Sequence, residues 1–217
     1  MTREMDLDDA GMEFTRSWFR NRNLETFRTY VYPAWAGQPI TYLELGVFEG
    51  MSMCWMLQRV LTHPAARAVG VDPWLITTKL DESYMNGVHA RADKNTSRWQ
   101  SMYVAGTQTW KCVLQRGNSA EVLRRMTQRG GYLGITNNSV DLCMVDGNHN
   151  ALAVVDDLRL AYQLVRPGGW LLLDDVENDH EKQDHVRQGL DSWLAEMPAD
   201  TVHLLWKHKY VEAYGKS

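Results

Sequence analysis

The chain has 217 residues, 44 % of them apolar, and a formal net charge of -4. That length supports one sizeable core and a single domain, and the acidic balance excludes a general attraction to nucleic acid. Nothing approaches the run of about 18 apolar residues that spans a membrane, and the opening MTREMDLDD has no signal-peptide character. Cys54, Cys112 and Cys143 stand apart in apolar segments, which predicts reduced core thiols and a soluble, cytoplasmic protein.

Up to Gly37, Phe14, Trp18, Leu24, Phe27 and Val31 recur among Arg16, Arg20, Arg22 and Arg28. The spacing predicts two helices ahead of a sheet, an N-terminal cap over residues 1–37 that either covers a ligand site or packs on the sheet and that offers a surface for a homo-oligomer. Pro33 and Pro39 bracket the exit loop. Ile40 to Leu45 reads as the first strand, followed by the turn Gly46-Val47-Phe48-Glu49-Gly50 and a helix from Met51 to Leu61. A strand, a glycine turn and a helix start cradle nucleotide-like ligands. The next strand, Ala66 to Val71, ends in Asp72, where an acidic residue takes ribose hydroxyls. Phe48 replaces the middle glycine of the dinucleotide fingerprint, and Glu44 and Glu49 bring negative charge. Those carboxylates repel a pyrophosphate and suit a ligand carrying an amine and a sulfonium, as S-adenosylmethionine does.

The polar, irregular stretch from Trp74 to Thr109 is predicted to be a partly helical insertion and a wall of an acceptor pocket. Trp110 to Gln115 reads as the third strand and Ala120 to Gln128 as a helix with Val122, Leu123 and Met126 inward; Arg124, Arg125 and Arg129 form a solvated face.

Asp141 to Glu177 is a complete strand, helix, strand unit. Leu142 to Val145 ends in Asp146-Gly147, and Trp170 to Leu173 ends in Asp174-Asp175. Between them Leu152, Val155, Leu158, Tyr162 and Val165 form the predicted inner stripe, opposite Asp156, Asp157, Arg159 and Gln163. A right-handed crossover between neighbouring parallel strands puts Asp146 and Asp174 at one sheet edge, about 5 Å apart. Asp175 joins them only if it has already left the strand. Carboxylates in that arrangement suit a hard cation such as Mg2+, with His149 as a base beside it. His180 to Met197 is predicted as a helix whose inner stripe is Val186, Leu190 and Trp193/Leu194; His180 and His185 read as surface residues rather than ligands. Thr201 to Trp206 and Tyr210 to Tyr214 are expected to close the fold as an antiparallel hairpin.

Taken in order, YLELGVFEGMSM, VGVDPW, GNSAEVL, MVDGNH and PGGWLLLDDV resemble the class I S-adenosylmethionine-dependent methyltransferases. More narrowly, they resemble the metal-dependent O-methyltransferases that act on sugars of macrolide and aminocoumarin antibiotics. The resemblance implies an α/β, Rossmann-like, doubly wound sheet of seven mostly parallel strands with an antiparallel C-terminal hairpin and helices on both faces. It implies cofactor contacts at Glu44, Gly46 and Gly50 for the methionine part, Asp72 for the ribose and Ser119, after Gly117-Asn118, by the adenine, with Ser52, Trp74, Asn118 and Asp146 as further cofactor-binding residues. Mg2+ would be held by Asp146, Asp174 and Asp175, with His149 the base. The activity implied is methyl transfer to a small hydroxylated acceptor, sugar or catechol-like. A nicotinamide oxidoreductase, an aminopropyl transferase and a non-catalytic binding protein remain the rivals. The missing glycine counts against the first, the acid pair is unneeded by the second, and intact acids at every expected place disfavour the third.

Overall fold

The computed structural model describes residues 6–75, 82–100, 102–104, 107–177 and 185–217. His180 and the predicted start of the last helix lie outside them.

The N-terminal segment forms short helical pieces, α1 (Trp18–Arg22), α2 (Leu24–Thr26), a π-helical turn over Phe27–Val31 and α3 (Tyr32–Trp35). Leu24, Phe27 and Val31 are buried as expected, whereas Trp18 is 54 % exposed and Phe19 takes the inner place, edge-on to Phe27. Pro33 belongs to α3 rather than to the exit loop.

Then come β1 (Thr41–Leu45), α4 (Met51–Trp55) running into a second π-helical turn (Met56–Val60), β2 (Arg67–Asp72), α5 (Glu82–Gln100) and a two-stranded ribbon of β3 (Met102–Val104) and β4 (Thr107–Thr109). The predicted insertion is thus mostly one long helix. The chain continues through β5 (Cys112–Arg116), α6 (Ser119–Thr127), β6 (Val140–Val145), α7 (Ala151–Leu164), β7 (Val165–Leu173), α8 (His185–Glu196), β8 (Val202–His208) and β9 (Val211–Lys216).

The main sheet has seven strands in the order β5-β2-β1-β6-β7-β9-β8. Its first five are parallel, and β9 inserts antiparallel between β7 and β8. This is the doubly wound fold expected. Alternation along the strands divides the core. Tyr42, Ala68, Leu142, Met144 and Leu172 face the N-terminal helices and α4. Leu43, Leu45, Val69, Val71, Cys143, Val145, Leu171 and Leu173 face α6, α7 and α8. All three cysteines are buried and unpaired.

Two predicted helix faces meet different fates. On α6, Val122, Leu123 and Met126 are inward as expected. On α7 the stripe is rotated: Val154, Val155, Leu158, Ala161 and Leu164 are buried together with Asp157, while Leu152 is 78 % exposed and Val165 already belongs to β7. Leu152 lies in the first turn, and Asp157 turns inward because Ser119 of α6 hydrogen-bonds it. Among the described residues no helix is long and apolar enough to cross a membrane.

Candidate active site

Register places the chemistry. Leu45 pairs with Val71 and with Val145, and Val145 pairs with Leu173, so the strands end level. The next residues continue the ladder: Gly46 N–H donates to Val71 O at 2.9 Å, Asp146 N–H to Leu45 O at 2.8 Å and Asp174 N–H to Val145 O at 3.0 Å. Glu44, Asp72, Asp146 and Asp174 have the parity of Tyr42, Ala68, Met144 and Leu172, which faces the N-terminal helices. Asp175 has the opposite parity. It sits at φ +56°, and this left-handed break brings it back toward Asp146, as the sequence required.

Single ligand atoms from Asp146, His149 and Asp175 lie within 4.8 Å of one another. His149 Nε2 is 3.2 Å from Asp175 Oδ2. Asp174 is beside this group but not in it: Asn23 Nδ2 donates to its Oδ2 at 2.5 Å, and its buried Oδ1 has no hydrogen-bond partner among the described residues. Desolvation, then the charges of Asp174, Asp175 and Glu44, push the Asp146 carboxyl well above the ordinary range, against the pull of Arg22. Burial and then Asp175 push Asp174 up to about 6. Four carboxylates thus crowd one edge, and among the described residues Arg22 brings a guanidinium to them, its Nη2 donating to Asp175 Oδ1 at 2.5 Å. Excess negative charge, oxygen donors and one orphaned buried oxygen fit a hard divalent cation.

The cofactor turn is built by close approach. Gly46 has φ +87°, and a Cβ there would lie 1.8 Å from the carbonyl oxygen of Asp146. Gly50, at φ +79°, starts α4. Phe48, at φ +52°, stacks at a tilt with the exposed Trp18, ring centroids 4.8 Å apart. The Asp72 carboxylate binds this turn directly. Its Oδ2 accepts from the N–H groups of Val47 and Phe48, both at 2.9 Å, and its Oδ1 from Trp74 N–H at 2.7 Å. Trp74 is 1 % exposed and donates from Nε1 to Phe48 O, so it braces the turn from below. Asn118 caps α6, accepting from Glu121 N–H at 3.2 Å, and Ser119 follows it.

Glu44 is 1 % exposed; Ser52 Oγ donates to its Oε1 at 2.5 Å and Tyr42 OH to its Oε2 at 2.9 Å. Burial pushes its carboxyl up to about 7, against both hydrogen bonds. The folded protein therefore holds this proton to higher pH than the unfolded chain does. The associated stability is fully present below the ordinary value of 4.5 and is lost as pH rises through about 7. Asp157 and Asp174, each pushed up to about 6, act in the same direction. We expect urea unfolding to show lower stability at pH 8 than at pH 5, and Glu44→Gln to shrink that gap by on the order of a few kcal/mol. An unchanged gap would contradict the burial argument.

The Glu49 carboxylate, which the sequence set beside Glu44 as negative charge for a positive ligand, is engaged by the protein's own groups. It is 1 % exposed and accepts from Thr15 N–H and Oγ and from Arg91 Nε, at 2.6, 2.8 and 2.5 Å. Arg22, Asn23 and Thr15 are the participants that sequence reasoning missed. Arg22 stands in the sequence only as one of several arginines in a helical pattern, and partners 151 and 153 positions away leave no local signal.

The profile of a methyltransferase domain family matches residues 43–176. The chain belongs to that methyltransferase family. The resemblance to class I methyltransferases read from the motifs therefore holds. An uncharacterized protein of Acanthamoeba polyphaga mimivirus is 24 % identical over 163 residues, 74 % of this chain and 62 % of its own length; the chain thus spans less than two thirds of that relative. Among solved structures, the O-methyltransferase TomG from Streptomyces achromogenes, in complex with SAM, aligns with TM-score 0.56 and 16 % identity over 89 % of this chain and 78 % of its own. The MycE methyltransferase of the mycinamycin pathway, in complex with Mg, SAH and mycinamycin VI, aligns with TM-score 0.54 and 16 % identity over 94 % of this methyltransferase chain and 50 % of its own. At these identities the structures attest the fold. The profile covers the glycine turn and the acid cluster but stops short of Arg22, Asn23 and the C-terminal hairpin.

Proposed function

We propose that the protein is an S-adenosylmethionine-dependent, magnesium-assisted O-methyltransferase acting on a small hydroxylated acceptor, a sugar or a catechol-like ring. The observation that carries this reading is the level row of strand ends that lines up the glycine turn with Asp72, Asp146 and Asp174. Beside that row stands an acid cluster whose charge calls for a cation.

In this reading residues 1–217 work as one domain, with residues 1–37 as a cap and residues 74–109 as an inserted wall. The setting is cytoplasmic. Gly46 and Gly50 give the methionine part of the methyl donor close access to backbone, and Glu44, with Ser52, sets the negative potential beneath it. Asp72 takes the ribose, and Trp74 keeps the turn in place. Asn118, Ser119 and the Asp146-Gly147 turn border the adenine. Asp146, Asp174 and Asp175 hold Mg2+, and MycE, whose structure contains Mg, is a precedent on the same fold. Bound magnesium supplies Lewis-acid stabilisation of developing negative charge on the acceptor. His149, its ring held by Asp175 Oδ2 at 3.2 Å, takes the proton from the acceptor hydroxyl as the oxygen bonds the methyl carbon and the carbon–sulfur bond breaks.

The acceptor enters by the cleft of about 400 Å³ lined by Asn21, Arg22, Glu177, Lys209 and Tyr210. The grouping of His149 with Asp146 and Asp175 also favours a second reading, in which the imidazole is a cation ligand. His149→Gln separates the two: a base variant loses turnover but keeps cation affinity.

The deciding experiment is calorimetric titration with S-adenosylhomocysteine, repeated with NAD and after Asp72→Ala. We expect binding of the former alone and at least a tenfold loss in the variant, whose three backbone N–H partners lose their acceptor. Absence of binding would refute the methyltransferase reading.

A further inference from the structure

Asp174 and Asp175 divide their oxygens in the same way. One oxygen of each is held by the N-terminal segment, Asp175 Oδ1 by Arg22 and Asp174 Oδ2 by Asn23, both at 2.5 Å. The other oxygen of each is left over: Asp175 Oδ2 lies 3.2 Å from His149 Nε2, and Asp174 Oδ1 is buried without a partner among the described residues. The two donors are consecutive residues at the joint between α1 and α2, and Asn23 is itself 5 % exposed. Arg22 is further held by stacking over the Tyr210 ring, 4.2 Å from its centroid. Tyr210 O in turn accepts from Val176 N–H at 3.0 Å, directly after the acid pair.

We propose that Arg22 and Asn23 are positioning residues for a divalent-cation centre. Each pins one oxygen of a carboxylate so that the remaining oxygen is presented, with Asp146, as a single-oxygen ligand. The inference rests on the magnesium reading given above. A free carboxylate rotates and offers either one oxygen or two, whereas a hard cation that demands near-octahedral geometry gains from ligands already set. An amide does this for Asp174 without adding charge. A guanidinium does it for Asp175 while offsetting part of the cluster's repulsion in the cation-free protein. The cation centre is then complete only with the N-terminal segment docked.

The test is Mn2+ binding to the full chain, read as free Mn2+ by electron paramagnetic resonance, with S-adenosylhomocysteine affinity measured in parallel. Asn23→Ala is expected to weaken Mn2+ binding about tenfold and to leave S-adenosylhomocysteine affinity within twofold. Arg22→Gln, which keeps an N–H donor, should retain cation affinity within about threefold, and Arg22→Met, which has none, should lose it about tenfold. A merely structural role would move the two Arg22 variants together. Equal Mn2+ affinity in Asn23→Ala and wild type, or in the two Arg22 variants, overturns the proposal; if Asn23→Ala loses both ligands through misfolding, the Arg22 pair decides. Wild type that binds no Mn2+ sinks the magnesium reading and this proposal together, whereas wild type that binds and variants that match it sink this proposal alone.

Discussion

Asp174→Asn is expected to lower turnover by about three orders of magnitude while S-adenosylhomocysteine affinity stays within a few-fold. The substitution keeps size and hydrogen-bonding shape, so Asn23 still has a partner in place of Asp174 Oδ2. What it removes is one negative charge and one anionic oxygen from a cluster that also contains Glu44, Asp146 and Asp175. The same change relieves repulsion in the cation-free protein, because Asp174 and Asp175 both push the Asp146 carboxyl up. Thermal stability without divalent cations is therefore expected to hold or rise slightly as activity collapses. That opposite movement distinguishes a ligand from a residue needed for folding. Unchanged turnover with any acceptor found active for the wild type would refute the cation role.

Gly46→Ala is expected to destabilise the fold by about 4 kcal/mol or more. Two costs add. The residue sits at φ +87°, a conformation that costs an L side chain about 1–2 kcal/mol. The new methyl would also lie 1.8 Å from Asp146 O and 2.5 Å from its carbonyl carbon, so β1 and β6 would have to part at the edge where the site is built. A shift of about 10 °C in Tm follows for a chain of this length, a large part of a net stability of about 5–15 kcal/mol. Gly130→Ala is the control: its φ is +95°, but a Cβ would meet nothing within 4 Å, which isolates the conformational cost. Equal melting temperatures for the two variants would refute the close-approach argument.

The parts of the fold legible in the sequence were those written in local pattern. Buried parallel strands announce themselves as apolar runs, and the residues that end them mark the sheet edge. Asp146 and Asp174 could therefore be placed side by side, and Asp175 could be required to leave the strand before the backbone angle was known. The alternating C-terminal segments likewise gave the hairpin. Illegible were contacts whose partners lie far apart in the chain. The inward face of α7 departs from its apolar periodicity because Asp157 is satisfied by Ser119 on another helix, and periodicity alone counts such a residue as polar exterior. Glu49 was read by its charge, but the fold spends that charge on Thr15 and Arg91. Arg22 and Asn23 belong to the same class: their hydrogen bonds follow from the N-terminal helices folding back over the acid pair, which no spacing within residues 1–37 encodes.

The walls of the cleft are Asn21 and Arg22 from before the sheet, Glu177 from just past β7, and Lys209 and Tyr210 from the turn of the C-terminal hairpin, all outside the stretch 43–176 that carries the family pattern. The matched segment supplies the sheet and its row of acids, and the flanking segments supply the cleft walls. Substitutions in those flanks can therefore reshape the cleft while leaving the strand ends and their carboxylates untouched.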